Sequence, residues 1–271
     1  MAALAHAYAP EPHDDRDPDR GRQPALSILE HLEELRARLV RSCIAIALGA
    51  VVAFFFIDRI VAFVFAPMRA ALARGGHGTT LIYTTPGEAF GLYVNIALIA
   101  GAALASPFVL FQAWRFIAPA LYANEKRFAI PFVLLSSAGV AAGWMFSHYI
   151  VFPYMIAFFD TFSSPELEFR PRVADAFDLY VKMLAGMVVV FQMPTVVFFL
   201  AKMRMVTARF LARNIKYAIL IIFIAAAVLT PSSDPWNQTV FAAPMIVLYV
   251  LSIGIAWLAA PRRTADPGRP T

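Results

Sequence analysis

Long apolar runs punctuated by short polar clusters dominate the sequence, and each long run approaches the ~20 residues that an α-helix needs to cross a bilayer. The first runs from Ser42 to Ile57 and can continue as helix past Asp58 and Arg59 toward Met68, giving a span near 42–66. The second covers 89–114, softened only by residues such as Asn95 and Gln112. The third, Phe128 to Phe159, holds no Asp, Glu, Lys or Arg in 32 residues. It exceeds one straight span, so a span of 128–158 is expected to bend at Pro131 or Pro153 or to project beyond the membrane. A fourth span is predicted over 181–201, with Gln192 and Pro194 inside it, and a sixth over 237–259. The fifth, 214–230, rests on the 13-residue apolar run Tyr217 to Leu229, too short to cross without snorkelling by Lys216 or local thinning of the bilayer. Only Pro231 to Pro235 separates the last two, so they form an antiparallel hairpin.

The expected fold class is therefore all-α: a polytopic membrane protein of six transmembrane helices over 26–260, between a polar tail at 1–25 and a second tail at 261–271. Composition agrees, with 60% hydrophobic and 15% charged residues, against about 25% charged in soluble domains. The first 25 residues are rich in Pro and charge and lack the apolar centre of a cleavable signal. No internal repeat is visible, which argues against the paired interrupted helices of many secondary transporters.

The net charge of +5 gains meaning from its placement. With the N-terminus inside, thirteen Lys and Arg flank the cytoplasmic ends of the spans and six flank the outer ends. The loop Asp160 to Asp178 adds five acids to the outer side against two arginines. Both termini are then expected in the cytoplasm. No basic patch is interleaved with aromatics, so nucleic acid is not an expected partner. The single cysteine, Cys43, rules out an intramolecular disulfide and is expected as a small buried hydrophobe. No cofactor or metal is expected. His148 reads as an interfacial histidine, and Met145, Met155, Met183, Met187 and Met193 as packing and possible peptide-contact surface.

Four stretches carry candidate chemistry. Ser27 and Glu30 fit a capping box ahead of a helix on which Leu29, Leu32, Leu35 and Leu39 make an apolar stripe. The opposite face carries His31, Glu33, Glu34, Arg36 and Arg38, as in an interfacial helix running into the first span. Glu125 lies at the edge of the third span, where it either serves a ligand or pairs with Lys126 or Arg127. Leu229 to Asp234 reads as ordinary turn chemistry or a docking edge. Gln192 is mid-span, facing either a neighbouring helix or a groove.

The string His31-Leu32-Glu33-Glu34-Leu35-Arg36-Ala37-Arg38-Leu39 resembles the HLxELRxRL signature of TatC, the polytopic core of the twin-arginine protein translocase. Phe111 to Tyr122 with Glu125, Val151-Phe152-Pro153, and Leu229-Thr230-Pro231 with Asp234, Gln238-Thr239 and Pro244-Met245 resemble further TatC motifs in the same order, covering roughly 26–258. The resemblance implies a concave, glove-like bundle in the bacterial cytoplasmic (inner) membrane, with both termini cytoplasmic. It also implies a receptor without hydrolytic chemistry or cofactor, which binds the paired arginines of signal peptides on folded cargo. The single-span partners TatA and TatB, self-association and the proton-motive force belong to the same picture. Carried over residue by residue, Glu34 and Glu125 match the signal-binding acids and Arg36 a position beside them that could orient Glu34. Gln192 stands where the family often has glutamate. With Pro194, Thr230, Pro231 and Asp234 it marks a groove or docking place for partner helices.

A small-solute transporter would need charged groups deep in the spans, where only Gln192 and Asn95 stand out. An intramembrane protease would need a Ser–His pair, and Ser106, Ser136, Ser137 and His148 have no such context.

Overall fold

The computed structural model describes residues 23–74, 81–117, 129–164, 169–230 and 234–259. The tails 1–22 and 260–271, and the segment 118–128 that includes Glu125, lie outside the described residues, as does Pro231. Among the described residues eleven α-helices follow one another: α1 Gln23–Phe55, α2 Ile57–Val64, α3 Ala66–Arg74, α4 Glu88–Ile117, α5 Ala129–Phe146, α6 Phe152–Asp160, α7 Val173–Val190, α8 Met193–Lys202, α9 Ala208–Arg213, α10 Ile215–Leu229 and α11 Pro235–Ala259. Among the described residues there is no strand, only an isolated bridge between Ile82 and Arg172.

Among the described residues, five helical paths are long and apolar enough to cross a membrane: Glu30–Phe55, Glu88–Phe116, Ile130–Asp160, Val173–Lys202 and Pro235–Ala259. The sixth, α10, has 15 residues. At 1.5 Å per residue it is about 22 Å long, short of the ~30 Å hydrocarbon core.

Three helix ends differ from the sequence reading. The helix already runs at Gln23, so Ser27 lies inside it rather than at its start. The first straight helix stops at Phe55, short of 66. Phe56 leaves helical geometry and the chain turns into the short α2 and α3. The third path bends through a π-helical turn, Ser147–Val151, just ahead of Pro153, which supplies no N–H to the ladder. The fourth path starts at Val173, earlier than 181, and breaks at Phe191–Gln192 before Pro194. The end of α8 is unusual. Arg204 takes φ 61°, a place usually left to glycine, and Met205 N–H donates to Leu200 O at 2.9 Å.

The seam between α1 and α4 organises one side of the molecule. Ser42 and Ala53 of α1 and Ala97 and Ala105 of α4 are buried along it. At its centre Gly49 meets Gly101 so closely that a Cβ on Gly101 would fall 2.2 Å from Ala50 N. Leu32, Leu35 and Leu39 point away from this seam and are 54%, 41% and 61% exposed. Such an inversion suits a bilayer, where leucine gains nothing by facing a helix rather than lipid, and small residues let backbones approach. Cys43 is exposed on the same outer surface, not buried as expected.

A second core gathers α2, α3, α6, α7, α8, α10 and α11 around Met68, Met155, Met183, Met187 and Met245, each at most 1% exposed. Here His148 is buried rather than interfacial. It stacks on Phe63 with ring centroids 4.2 Å apart, and its Nδ1 lies 3.1 Å from the Tyr180 hydroxyl.

Candidate functional site

The polar face of α1 turns toward α4. Glu34, Arg38 and Ser42 repeat every four residues and therefore share one face. Arg38 is buried, its Nε donates to Glu34 Oε1 at 3.1 Å, and its Nη2 donates to the same oxygen. Ser42 Oγ donates to Arg38 O at 2.9 Å. The Glu34 side chain stays 36% exposed, so the carboxylate keeps an open side. His31 stacks on Phe116 of α4 at 4.4 Å and 17°, which ties the start of the face to the end of α4. Behind this end, Trp114, Phe132 and Phe199 pack ring to ring at 4.7–4.9 Å and hold α4, α5 and α8 together.

The guanidinium on Glu34 is thus that of Arg38. Arg36, expected to orient Glu34, is exposed and makes no ion pair among the described residues. The i,i+4 spacing from Glu34 to Arg38 was the available signal, because only residues three or four apart meet on a helix surface.

Gln192 sits elsewhere, at the α7–α8 break. Pro194 cannot donate to Val190 O, and the broken ladder leaves a kink. Gln192 Nε2 crosses to α5 and donates to Ser136 O at 3.1 Å. Gly139 makes room for this crossing, since a Cβ there would lie 3.2 Å from Nε2. Replacing the amide by a similar apolar shape tests the bond. Gln192→Leu is expected to lower stability by about 0.6–1.7 kcal/mol, the range for interhelical hydrogen bonds in membranes. Thermal unfolding in detergent reads this, and an unchanged midpoint counts against the bond.

Thr230 and Asp234 stand at the opposite end from Glu34. Thr230 Oγ1 donates to Ala226 O at 2.8 Å, closing α10. Asp234 Oδ2 accepts from Asn237 N–H at 3.0 Å, the geometry of an N-cap, with Pro235 in the first turn. Gln238 Nε2 donates to Phe223 O at 2.8 Å and joins α11 to α10. The candidate residues therefore fall in three places, and the described ones are not brought together in a single pocket. Glu125 and Pro231 lie outside the described residues.

Glu88 escaped the sequence reading. Its Oε2 accepts from Thr84 N–H at 3.0 Å, Thr85 N–H at 3.3 Å and Arg172 Nη2 at 3.3 Å. Its Oε1 accepts from Ala174 N–H at 3.2 Å. Thr85 with Glu88 three positions on is itself a capping-box pattern, and Glu88 N–H returns a bond to Thr85 O.

Comparison with known proteins bears on the whole chain. Residues 30–244 match the family model described as "Sec-independent protein translocase protein (TatC)". A Sec-independent protein translocase protein TatC of Koribacter versatilis (strain Ellin345) is 42% identical over 239 residues, covering 88% of this chain and 87% of the relative. Its counterpart in Desulforapulum autotrophicum is 40% identical over 237 residues, covering 88% and 86%. A crystal structure of a twin arginine translocase receptor, TatC, superposes with a TM-score of 0.70 at 34% identity, covering 84% of this chain and 99% of that one. A second, in DDM, gives 0.72 at 32% identity, covering 83% and 99%. Matched over residues 30–244 by the family model and 40–42% identical to two curated relatives across most of both chains, this chain belongs to the TatC family of Sec-independent protein translocase components.

Proposed function

We propose that this multi-pass inner-membrane protein is the receptor of its translocase, and that Glu34 with Glu125 binds the paired arginines of a signal peptide on a folded precursor. The observation that carries the reading is the Glu34 carboxylate. It is partly exposed and already engaged by the guanidinium of a neighbouring arginine. Two related solved structures bear the description "receptor", which favours the same role here. Both termini then face the cytoplasm, in line with the distribution of Lys and Arg. TatA and TatB dock along the surfaces marked by Gln192, Pro194, Thr230, Pro231 and Asp234, and the proton-motive force drives movement of the cargo. The short α10 thins the bilayer beside that docking place.

Binding of a fluorescent peptide carrying an Arg-Arg pair to the purified full chain in detergent tests the site. Glu34→Gln and Glu125→Gln are each expected to weaken binding about tenfold or more, the usual cost of losing a charge-assisted bidentate partner. A Lys-Lys peptide keeps the charge but lacks the fork and binds less well than Arg-Arg. Parent-like binding by both carboxamide variants would end this reading.

A further inference from the structure

The Arg38 side chain is more than an anchor for Glu34. It is 10% exposed, two of its nitrogens reach Glu34, and its third, Nη1, is buried with no hydrogen-bond partner among the described residues. On α4, Gln112 is 5% exposed, and its Oε1 is likewise buried without a partner among the described residues. One atom is a donor and the other an acceptor. A buried polar group left unpaired is costly, so two complementary ones invite a structural reason.

Their positions supply it. Helices α1 and α4 run antiparallel: Gly49 meets Gly101, while His31, earlier in α1, stacks on Phe116, later in α4. Arg38 precedes Gly49 by eleven residues and Gln112 follows Gly101 by eleven. Eleven residues make about three full turns, so both side chains return to the seam face, about 16 Å along it and at one level. Glu34 lies one further turn toward the open end of the seam. Arg38 thus stands between a carboxylate it holds and an amide oxygen it does not.

The geometry points to an exchange: Arg38 is a resident guanidinium that occupies Glu34 in the empty receptor and moves onto Gln112 Oε1 when an incoming arginine takes the carboxylate. The inference rests on the proposed reading of Glu34 as a signal-binding acid. Arg38 and Gln112 are positioning residues, acting on the ligand only through Glu34. The device has two consequences. The empty site never carries a bare carboxylate at the membrane edge, and every ligand must displace a guanidinium before it gains the carboxylate. That cost is the same for every ligand, so it sets a threshold on affinity and leaves the preference for arginine over lysine to the carboxylate itself.

The test uses the purified full chain in detergent, with fluorescent Arg-Arg and Lys-Lys peptides. Arg38→Met keeps the apolar stem and removes the competitor. It is expected to tighten Arg-Arg and Lys-Lys binding alike, about fivefold, with the ratio between them unchanged. Gln112→Met removes the receiving oxygen and is expected to weaken Arg-Arg binding about fivefold, but to change nothing once Arg38→Met is present. Arg38→Lys, an ammonium competitor without the fork, should bind Arg-Arg with an affinity between those of the parent and Arg38→Met. Gln112→Glu, which keeps Arg38 and draws it off Glu34, should tighten Arg-Arg binding and serves if Arg38→Met does not fold. Unchanged or weaker Arg-Arg binding by Arg38→Met, or by Gln112→Glu where Arg38→Met cannot be purified, overturns the exchange, as does a Gln112→Met effect that survives without Arg38. Parental binding by Glu34→Gln would instead overturn the receptor reading itself, so the two failures are told apart.

Discussion

Gly101→Leu is expected to abolish the folded protein, and Gly101→Ala to lower its stability by about 3 kcal/mol, or roughly 10 °C in thermal unfolding in detergent. The reason is geometric. A Cβ at 101 would lie 2.2 Å from Ala50 N and 2.6 Å from Ala50 Cα, and neither is the free end of a side chain that can swing aside. One of Gly49's own Cβ contacts would be Gly101 O at 2.6 Å, so each glycine answers the other. To admit a methyl group the two helices must separate along a seam tens of ångströms long, and every small-residue contact on it weakens together. Gly91→Ala in the same helix is the matched control. Nothing lies within 4 Å of its Cβ position, and removing a helical glycine there should raise stability by about 0.5–1 kcal/mol. Opposite signs from one substitution type in one helix cannot come from helix propensity. Equal effects at 91 and 101 would mean that the seam is not closely packed.

The same seam shows what the amino-acid pattern could and could not reveal. The spans were legible because an apolar run of fitting length has few other uses, and the break at Pro194 because proline withholds an N–H. The direction each helix faces was not legible. Leu32, Leu35 and Leu39 read as the apolar face of an interfacial helix, and they do form an exposed outer face; that the polar face packs on α4 was not visible. Cys43, expected buried, is exposed. The π-turn at Ser147–Val151 and the left-handed Arg204 have no residue signature of the usual kind, since neither uses glycine. Within the candidate site, Glu34 was visible through its motif. Its actual partner Arg38 was visible only through helical spacing, and Gln112 only once α4 was laid against α1. His148 looked interfacial because its partners, Phe63 and the buried Tyr180, arrive from distant parts of the chain.

Glu88 is where a single side chain holds most, and its loss should be the second large effect. Four N–H groups converge on this carboxylate, from Thr84, Thr85, Ala174 and Arg172. Beside it, Ile82 and Arg172 form the isolated bridge, with Val173 N–H donating to Ile82 O at 2.9 Å. The carboxylate therefore couples the start of α4 to the start of α7 across 86 residues of sequence. Its side chain is 6% exposed while that of Arg172 is 42% exposed. Most of the worth should then reside in the backbone donors rather than in the ion pair, which water screens. Arg172→Ala is accordingly expected to lower the thermal midpoint only slightly, within about 3 °C. Glu88→Gln should cost far more, roughly 10 °C. It replaces an all-acceptor group by one whose amide nitrogen faces donors, so at least one N–H is left without a partner. Hydrogen exchange locates the damage. Protection at Thr85 and Ala174 should fall at least about tenfold in Glu88→Gln, with the amides of the α1–α4 seam unchanged. If Arg172→Ala proves as damaging as Glu88→Gln, the ion pair and not the backbone cage holds this end together. If neither variant changes protection at Ala174, α4 and α7 are held by packing alone. The expected ranking, carboxamide far worse than the arginine truncation, follows only from a carboxylate that works as a cap for two helix starts at once.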